Sequence, residues 1–127
     1  MAIVQKRSLR KPSGGRYTST NPKRLHQKAN KHRRTSIGSK RVRLLSQKGG
    51  SKKQALLSAE EINLYNPKSK KYAKAKMTVV KENKANRNFV RRNILTRGAL
   101  VSTDKGIAKI TNRPGQEGYV NAVLQEE

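Results

Sequence analysis

The sequence predicts an all-β protein: a small six-stranded β-barrel preceded by a long, basic, extended N-terminal arm. Three observations carry that prediction. Beyond Thr35, short apolar runs are separated by turn signals at intervals of about ten residues, the rhythm of a sandwich or barrel. Before Thr35 almost nothing can build a core, because Ile3, Val4, Leu9, Tyr17 and Leu25 stand isolated among Lys, Arg, Ser, Thr, Asn, Gly and Pro. The charge is also lopsided: the first acidic residue is Glu60, and by then the chain has placed 17 of its 31 Lys and Arg residues. The boundary is set accordingly, with an arm over residues 1–34 and a barrel domain over residues 35–127.

In the arm, Pro12, Gly14-Gly15 and Asn21-Pro22 interrupt regular structure. Lys23 to Arg34 has room for a helical turn or two starting near Asn21-Pro22, where Asn suits an N-cap and Pro the first helical position. With so many like charges, that turn is expected only in a bound state, and the free arm is expected to be disordered.

In the domain, Ile37 with Arg41 to Gln47 makes the first strand, Gly49-Gly50 supplies a turn, and Lys53 to Ser58 makes the second. Ser58 to Glu61 fits a capping box. Pro67 leaves little space for a helix, so Ile62 to Tyr65 is read as a short edge strand. The clearest alternation comes next, with Ala73, Ala75, Met77 and Val79 facing inward and Lys74, Lys76 and Thr78 outward. Asn83 to Arg92 is polar, with one short helical turn closed by Phe89 and Val90. Strands then run from Leu95 or Ala99 to Ser102, from Gly106 to Thr111 and from Tyr119 to Leu124, joined by turns at Asp104-Lys105-Gly106 and Arg113-Pro114-Gly115. Six strands suffice to close a small barrel and remove exposed edges.

Charge narrows the function. The chain carries 31 basic and 7 acidic side chains, a formal charge of +24 on 127 residues, with a pI near 11.3. Compaction of such a chain presses like charges together unless a polyanion neutralises them. Nucleic acid does so directly, since each neutralised phosphate releases condensed counterions. Anionic membrane is the other common polyanion, but no amphipathic face with bulky apolar residues opposes the cations. There is no apolar run of membrane-spanning length and no signal-peptide core after Met1, so a soluble, intracellular protein is expected.

With no cysteine, the fold has neither disulfides nor thiolate metal ligands. Hydrophobic content of 32% permits one small core. The only aromatics are Tyr17, Tyr65, Tyr72, Phe89 and Tyr119. Binders that stack bases usually display clustered aromatics, so recognition of backbone and shape is the expectation.

The arm's cations fall in clusters: Lys6-Arg7, Arg10-Lys11, Arg16, Lys23-Arg24, and Lys31 with Arg33-Arg34. A solvated tail or a targeting signal would use similar residues. Here, however, the cations are spaced by Gly, Pro, Ser and Thr with no acid among them. Such spacing suits a backbone that approaches phosphates at Ser13, Gly14 and Gly15 while Arg supplies forked donors. On the domain, Arg41, Arg43, Lys52 and Lys53 form a second candidate surface, with Lys74, Lys76, Arg91 and Arg92 after them. Strand alternation sets Arg41 and Arg43 on the face opposite Val42 and Leu44.

Catalysis finds little support. His26 and His32 are six residues apart in the arm, off ligand spacing on a helix, and no Asp or Glu cluster is available for zinc or magnesium. No phosphate-binding loop or dinucleotide fingerprint is present. Glu60 and Glu61, as strand neighbours, point to opposite faces. No enzyme activity, cofactor, metal or small-molecule substrate is expected.

Taken together, several stretches resemble one family. Arg7-Ser8-Leu9-Arg10-Lys11-Pro12-Ser13-Gly14-Gly15 is similar to the opening signature of the archaeal and eukaryotic family of small-subunit ribosomal protein eight, the "eight-e" family. Thr35-Ser36-Ile37-Gly38 matches next, then Arg43 through Gly49-Gly50 to Lys53. Asn88 to Leu95 with Gly98-Ala99 comes after, and finally Arg113 to Gly118 with Val120 to Leu124. The matches keep their order over nearly the whole length. The chain lacks the long insertion of eukaryotic members and so resembles the short archaeal form, although Lys68 to Lys76 is a denser lysine run than the family pattern.

The resemblance implies a β-barrel with an N-terminal extension, bound to small-subunit ribosomal RNA beside neighbouring small-subunit proteins in the cytoplasm. Its role would be architectural. On this reading Arg7, Arg10, Lys11, Arg16, Lys23, Arg24, Arg33 and Arg34 contact phosphates, with Arg41, Arg43, Lys52 and Lys53 second. Charge alone equally permits a DNA-compacting, chromatin-like protein, although the arm has few apolar wedges for bending duplex DNA.

Overall fold

The computed structural model describes residues 7–18 and 21–125. Lys6, Glu126 and Glu127, like the apolar pair Ile3 and Val4, lie outside the described residues. The chain forms two units, one ending at His32 and the other beginning at Arg33.

The second unit is all-β, as expected, but the strands are organised differently from the predicted single six-stranded barrel. Among the described residues there are eight: β1 (Ser36–Ile37), β2 (Arg41–Ser46), β3 (Lys52–Ala59), β4 (Glu61–Asn66), β5 (Lys71–Glu82), β6 (Leu100–Thr103), β7 (Gly106–Ile110) and β8 (Asn121–Leu124). Five of them, β4 to β8, close the barrel, while β1, β3 and β2 form a separate three-stranded sheet in that order. The expected first strand is in fact two strands on opposite edges of β3. β1 pairs with it in parallel and β2 antiparallel.

The predicted edge strand is likewise an interior one. β4 pairs antiparallel with β5 and in parallel with β8, through Asn63 opposite Asn121 and Tyr65 opposite Val123, and that second pairing closes the barrel. At Glu60 the chain leaves the small sheet and enters the barrel, with only that residue between β3 and β4.

Local turn chemistry is where expected. Gly49 and Gly50 both adopt positive φ, at 83° and 80°, between β2 and β3. Gln47 N–H donates to Ser51 O across the turn at 2.8 Å. At the start of β7, Gly106 has φ 121°, and the Thr103 hydroxyl donates to its carbonyl at 2.7 Å. These are conformations that glycine adopts at little steric cost.

The alternation of β5 holds only halfway. Ala75 and Met77 are buried, but Val79 is 51% exposed and Val80 is fully buried. The cause is a bulge: Met77 opposes Thr103 and Val79 opposes Ser102, so Thr78 is the extra residue and its insertion inverts the facing of Val79 and Val80. Ala73, expected inside, is also exposed.

The core runs through the barrel and under the small sheet. Ile62, Leu64, Met77, Val80, Val101 and Ile110 fill the barrel, and Leu56 and Ala59 of β3 belong to the same cluster. A short helix, α1 (Asn88–Arg91), interrupts the strands with Phe89 and Val90 half-buried. The segment after it is tied down by buried Asn83, whose amide donates to Ile94 O at 3.2 Å and whose carbonyl accepts from Ala85 N–H and Thr96 Oγ1, each at 3.0 Å. Thr35, almost wholly buried, donates to Leu56 O at 2.8 Å.

Candidate nucleic-acid interface

In the first unit, the residues expected to break structure instead build it. Leu9 to Tyr17 is a hairpin: Tyr17 N–H donates to Leu9 O at 2.8 Å, Lys11 N–H to Gly15 O at 2.8 Å and Gly14 N–H to Lys11 O at 3.0 Å. Pro12 pre-sets one turn dihedral, and Gly14 takes φ 87°. A Cβ at Gly14 would meet nothing within 4 Å, so this glycine serves the turn and leaves open backbone at the tip.

The hairpin gathers cations. Arg10 and Arg16 face each other across an antiparallel bridge. The Arg7 guanidinium sits 3.8 Å from the centre of the Tyr17 ring and Lys11 Nζ 5.5 Å from it, both within cation–π range. The Arg10 side chain also donates to Gly14 O at 3.4 Å. Like charges opposed across a strand pair repel, and Arg7, Arg10, Lys11 and Arg16 are all exposed. By sequence alone Tyr17 is an isolated apolar residue. Its position opposite Leu9, once Lys11 to Gly15 is read as a turn, is the signal that places it beneath two cations.

Further along, the expected helical turn begins at Leu25 rather than at Asn21-Pro22. It is one 3-10 turn, Leu25–Gln27, closed by Gln27 N–H to Arg24 O at 3.0 Å and Arg24 N–H to Gln27 Oε1 at 3.1 Å. Lys23, Arg24, His26 and His32 are exposed. Among the described residues, no group of three or more His, Asp or Glu could hold a metal ion.

In the second unit the predicted cations divide. Arg33 is half-buried and donates to Gly115 O at 3.1 Å, packed so closely that a Cβ at Gly115 would lie 3.3 Å from its own Cβ. Lys53 Nζ donates to Gln116 Oε1 at 2.8 Å. The turn Pro114–Gln116 thus brings together two cations twenty residues apart in sequence, next to exposed Arg113. In the sequence, Arg113 stands out only as part of a turn. Arg41 donates to Ser58 Oγ at 3.1 Å, and that hydroxyl donates to Ser39 O at 2.6 Å. An arginine has five donor hydrogens, so these structural bonds leave further donors for a ligand.

Arg34, Arg43 and Lys52 are exposed. β2 does not bury the face opposite its arginines, since Leu44 is 62% exposed and Val42 also lies open. The reason is that β2 is the outer strand of the small sheet, off the barrel. Lys74 and Lys76 lie on the outer face of β5, and Arg91 and Arg92 are exposed at α1. Few acids offset these charges: Asp104 Oδ1 accepts from the Lys76 backbone N–H at 3.2 Å, and Glu117 Oε2 accepts from Asn112 at 2.8 Å. Among the described residues, no helix is long and apolar enough to cross a membrane.

A family model described as ribosomal protein S8e matches residues 4–125. Among curated relatives, a small ribosomal subunit protein eS8 from Picrophilus torridus is 44% identical over 124 residues, covering 98% of this chain and 99% of the relative. Proteins of the same name from Methanocella arvoryzae and Methanosphaera stadtmanae are 43% and 44% identical, covering 94% and 99% of this chain and 96% and 100% of theirs.

Proposed function

We propose, from the premise that this chain belongs to the ribosomal protein S8e family, that it is a structural constituent of the small ribosomal subunit that binds and stabilises small-subunit rRNA. The observation that carries the reading is the match over nearly the full length to proteins named as small-subunit components. The family is not an enzyme class, and its members' names imply a place in the ribosome among rRNA and neighbouring proteins. The cytoplasm is the corresponding location.

The N-terminal arm is the principal anchor. Its hairpin presents Arg7, Arg10, Lys11 and Arg16 as a prearranged set of phosphate ligands, with Ser13, Gly14 and Gly15 at an open tip. Two-stranded hairpins are marginal in water on their own, and this one sets arginines opposite each other, so the arm, residues 1–34, becomes ordered when phosphates lie between those charges. Lys23, Arg24 and Arg34 extend the contact. On the domain, residues 35–127, Arg41, Arg43 and Lys53, which share one face of the small sheet, dock second, with Lys52 reaching RNA from the other face at the start of β3. Arg33 and Lys53 also hold the turn at Pro114–Gln116, so they contribute shape as well as charge. The deep, narrow A-form major groove keeps side chains from its base edges, and double-stranded RNA is recognised mostly by shape and by 2′-hydroxyl and phosphate contacts, the features these cations read.

Replacing Arg7, Arg10, Lys11 and Arg16 with Gln in the intact chain tests this. The expected result is poor entry into small subunits and weaker binding, with a smaller salt slope, to folded small-subunit rRNA, which the unaltered chain prefers over duplex DNA in competition at fixed salt. Preference of the unaltered chain for duplex DNA would favour a DNA-compacting role instead.

A further inference from the structure

On the barrel's outer face, β4, β5 and β8 build a cleft that the proposed contacts of the arm and of the small sheet leave unused. Alternation along β4 buries Ile62 and Leu64 and turns Asn63 and Tyr65 outward. Register then sets Lys74 and Asn121 on either side of Asn63, and Tyr72 and Val123 on either side of Tyr65. The result is an open cleft of about 540 Å³, within the size range of small-ligand sites.

Three features of this cleft point to one kind of occupant. The first is an aromatic platform: the Tyr65 and Tyr72 rings lie 4.9 Å apart at 42°, and Tyr72 is 81% exposed. A cross-strand tyrosine pair can simply stabilise a hairpin, but that role does not require so large an open ring surface beside a cleft. The second is a polar edge. Asn63 Nδ2 donates to Asn121 Oδ1 at 3.1 Å, which leaves the Asn63 carbonyl as an acceptor and the Asn121 amide as a donor, side by side. The Asn121 backbone is fixed by Thr111 N–H and Oγ1 on its carbonyl, at 3.0 and 3.2 Å, and by its own N–H to Asn112 Oδ1 at 3.0 Å. The third is the exposed cation Lys74, directly opposite Asn63.

We propose that this cleft binds one unpaired RNA base, stacked on Tyr72, hydrogen-bonded through its edge to Asn63 and Asn121, with the adjoining phosphate on Lys74. A ring surface is sequence-tolerant because every base has a π-face. A neighbouring donor and acceptor match the edge of a nucleobase, as a single Asn does for adenine. A carboxylate, which only accepts, would be repelled by the Asn63 carbonyl. The inference rests on the rRNA-binding function and adds to it a contact that reads a base, where the arm reads phosphates.

The test uses the full chain and a small-subunit rRNA transcript, with affinity measured against salt. Tyr72→Ala is expected to weaken binding about five- to hundredfold without changing the salt slope, because the ring meets no phosphate. Tyr72→Phe should bind like the unaltered chain, and Asn121→Ala should weaken binding at unchanged slope. Lys74→Gln should lower the slope by about 1. Ultraviolet crosslinking should join Tyr72 to a single-stranded nucleotide. If the unaltered chain binds rRNA and Tyr72→Ala binds equally well, the inference is overturned while the function stands. That holds even if Tyr72→Ala impairs subunit assembly, in which case the cleft receives a segment of a neighbouring protein. If the unaltered chain shows no rRNA binding, both readings fail together.

Discussion

Val79 and Val80 are chemically identical neighbours, yet one is half in solvent and the other fully enclosed. The bulge at Thr78 decides which, because the extra residue inverts the facing of Val79 and Val80, ahead of a second register shift between Val80 and Glu82. The Thr78 hydroxyl donates to Ser102 O at 3.0 Å and holds the distortion in place. Val80→Ala should therefore cost on the order of 2 kcal/mol, from lost apolar burial and the cavity left behind. Val79→Ala should stay within about 0.5 kcal/mol. Denaturant unfolding of both variants checks the pair, and the reverse order, with Val79→Ala the costlier, would mean that the strand alternates without a bulge. Strict alternation from Ala73 to Val79 is the strongest periodic signal in the sequence. It fails because a bulge is set by the register against β6, which a single strand's pattern does not contain.

Among the elements, those governed by short-range chemistry are legible in the sequence. Gly49-Gly50 and Asp104-Lys105-Gly106 are turns because few other residues take positive φ there, and both lie where the sequence puts them. The role of β4 is not legible, since its closing partner, β8, lies some sixty residues away and pairs in parallel. Nor is the hairpin at Leu9 to Tyr17: Pro12 and Gly14 look like interruptions when they make the turn. The same blindness hides the cleft. Tyr65 and Tyr72 are seven residues apart, and only the pairing of β4 with β5 sets them opposite each other. Of the predicted contact residues, the cations themselves are visible by composition, but the second task of Arg33, Arg41 and Lys53, as internal donors, is not. The segment around Ile94 gives an element-scale prediction. Asn83→Ala would leave Ile94 O and Ala85 N–H without their partner, and it should cost about 1–3 kcal/mol in denaturant unfolding. A neutral result would show that the segment is held by packing alone.

At the scale of the whole molecule, the chain combines a self-sufficient β unit with an arm that has charge but little core. The second unit, from Arg33 onward, contains the entire buried cluster together with the Arg33 to Gly115 bond. Among its described residues the arm contains cations, one hairpin and one short turn. A net charge of +24 is a standing cost to compaction, and the proposed role turns it to use, since every phosphate met by Lys or Arg releases a counterion. The family places this chain among ribosomal proteins, and the uneven charge suggests how the work is divided: the arm supplies electrostatic anchoring and the β unit supplies shape.

The salt dependence of rRNA binding tests that division most directly, with the intact chain compared against one beginning at Arg33. Loss of Arg7, Arg10, Lys11, Arg16, Lys23 and Arg24 should reduce the slope of log K against log salt by about four to five, with a large loss of affinity at low salt. An unchanged slope and affinity in the shortened chain would contradict the account.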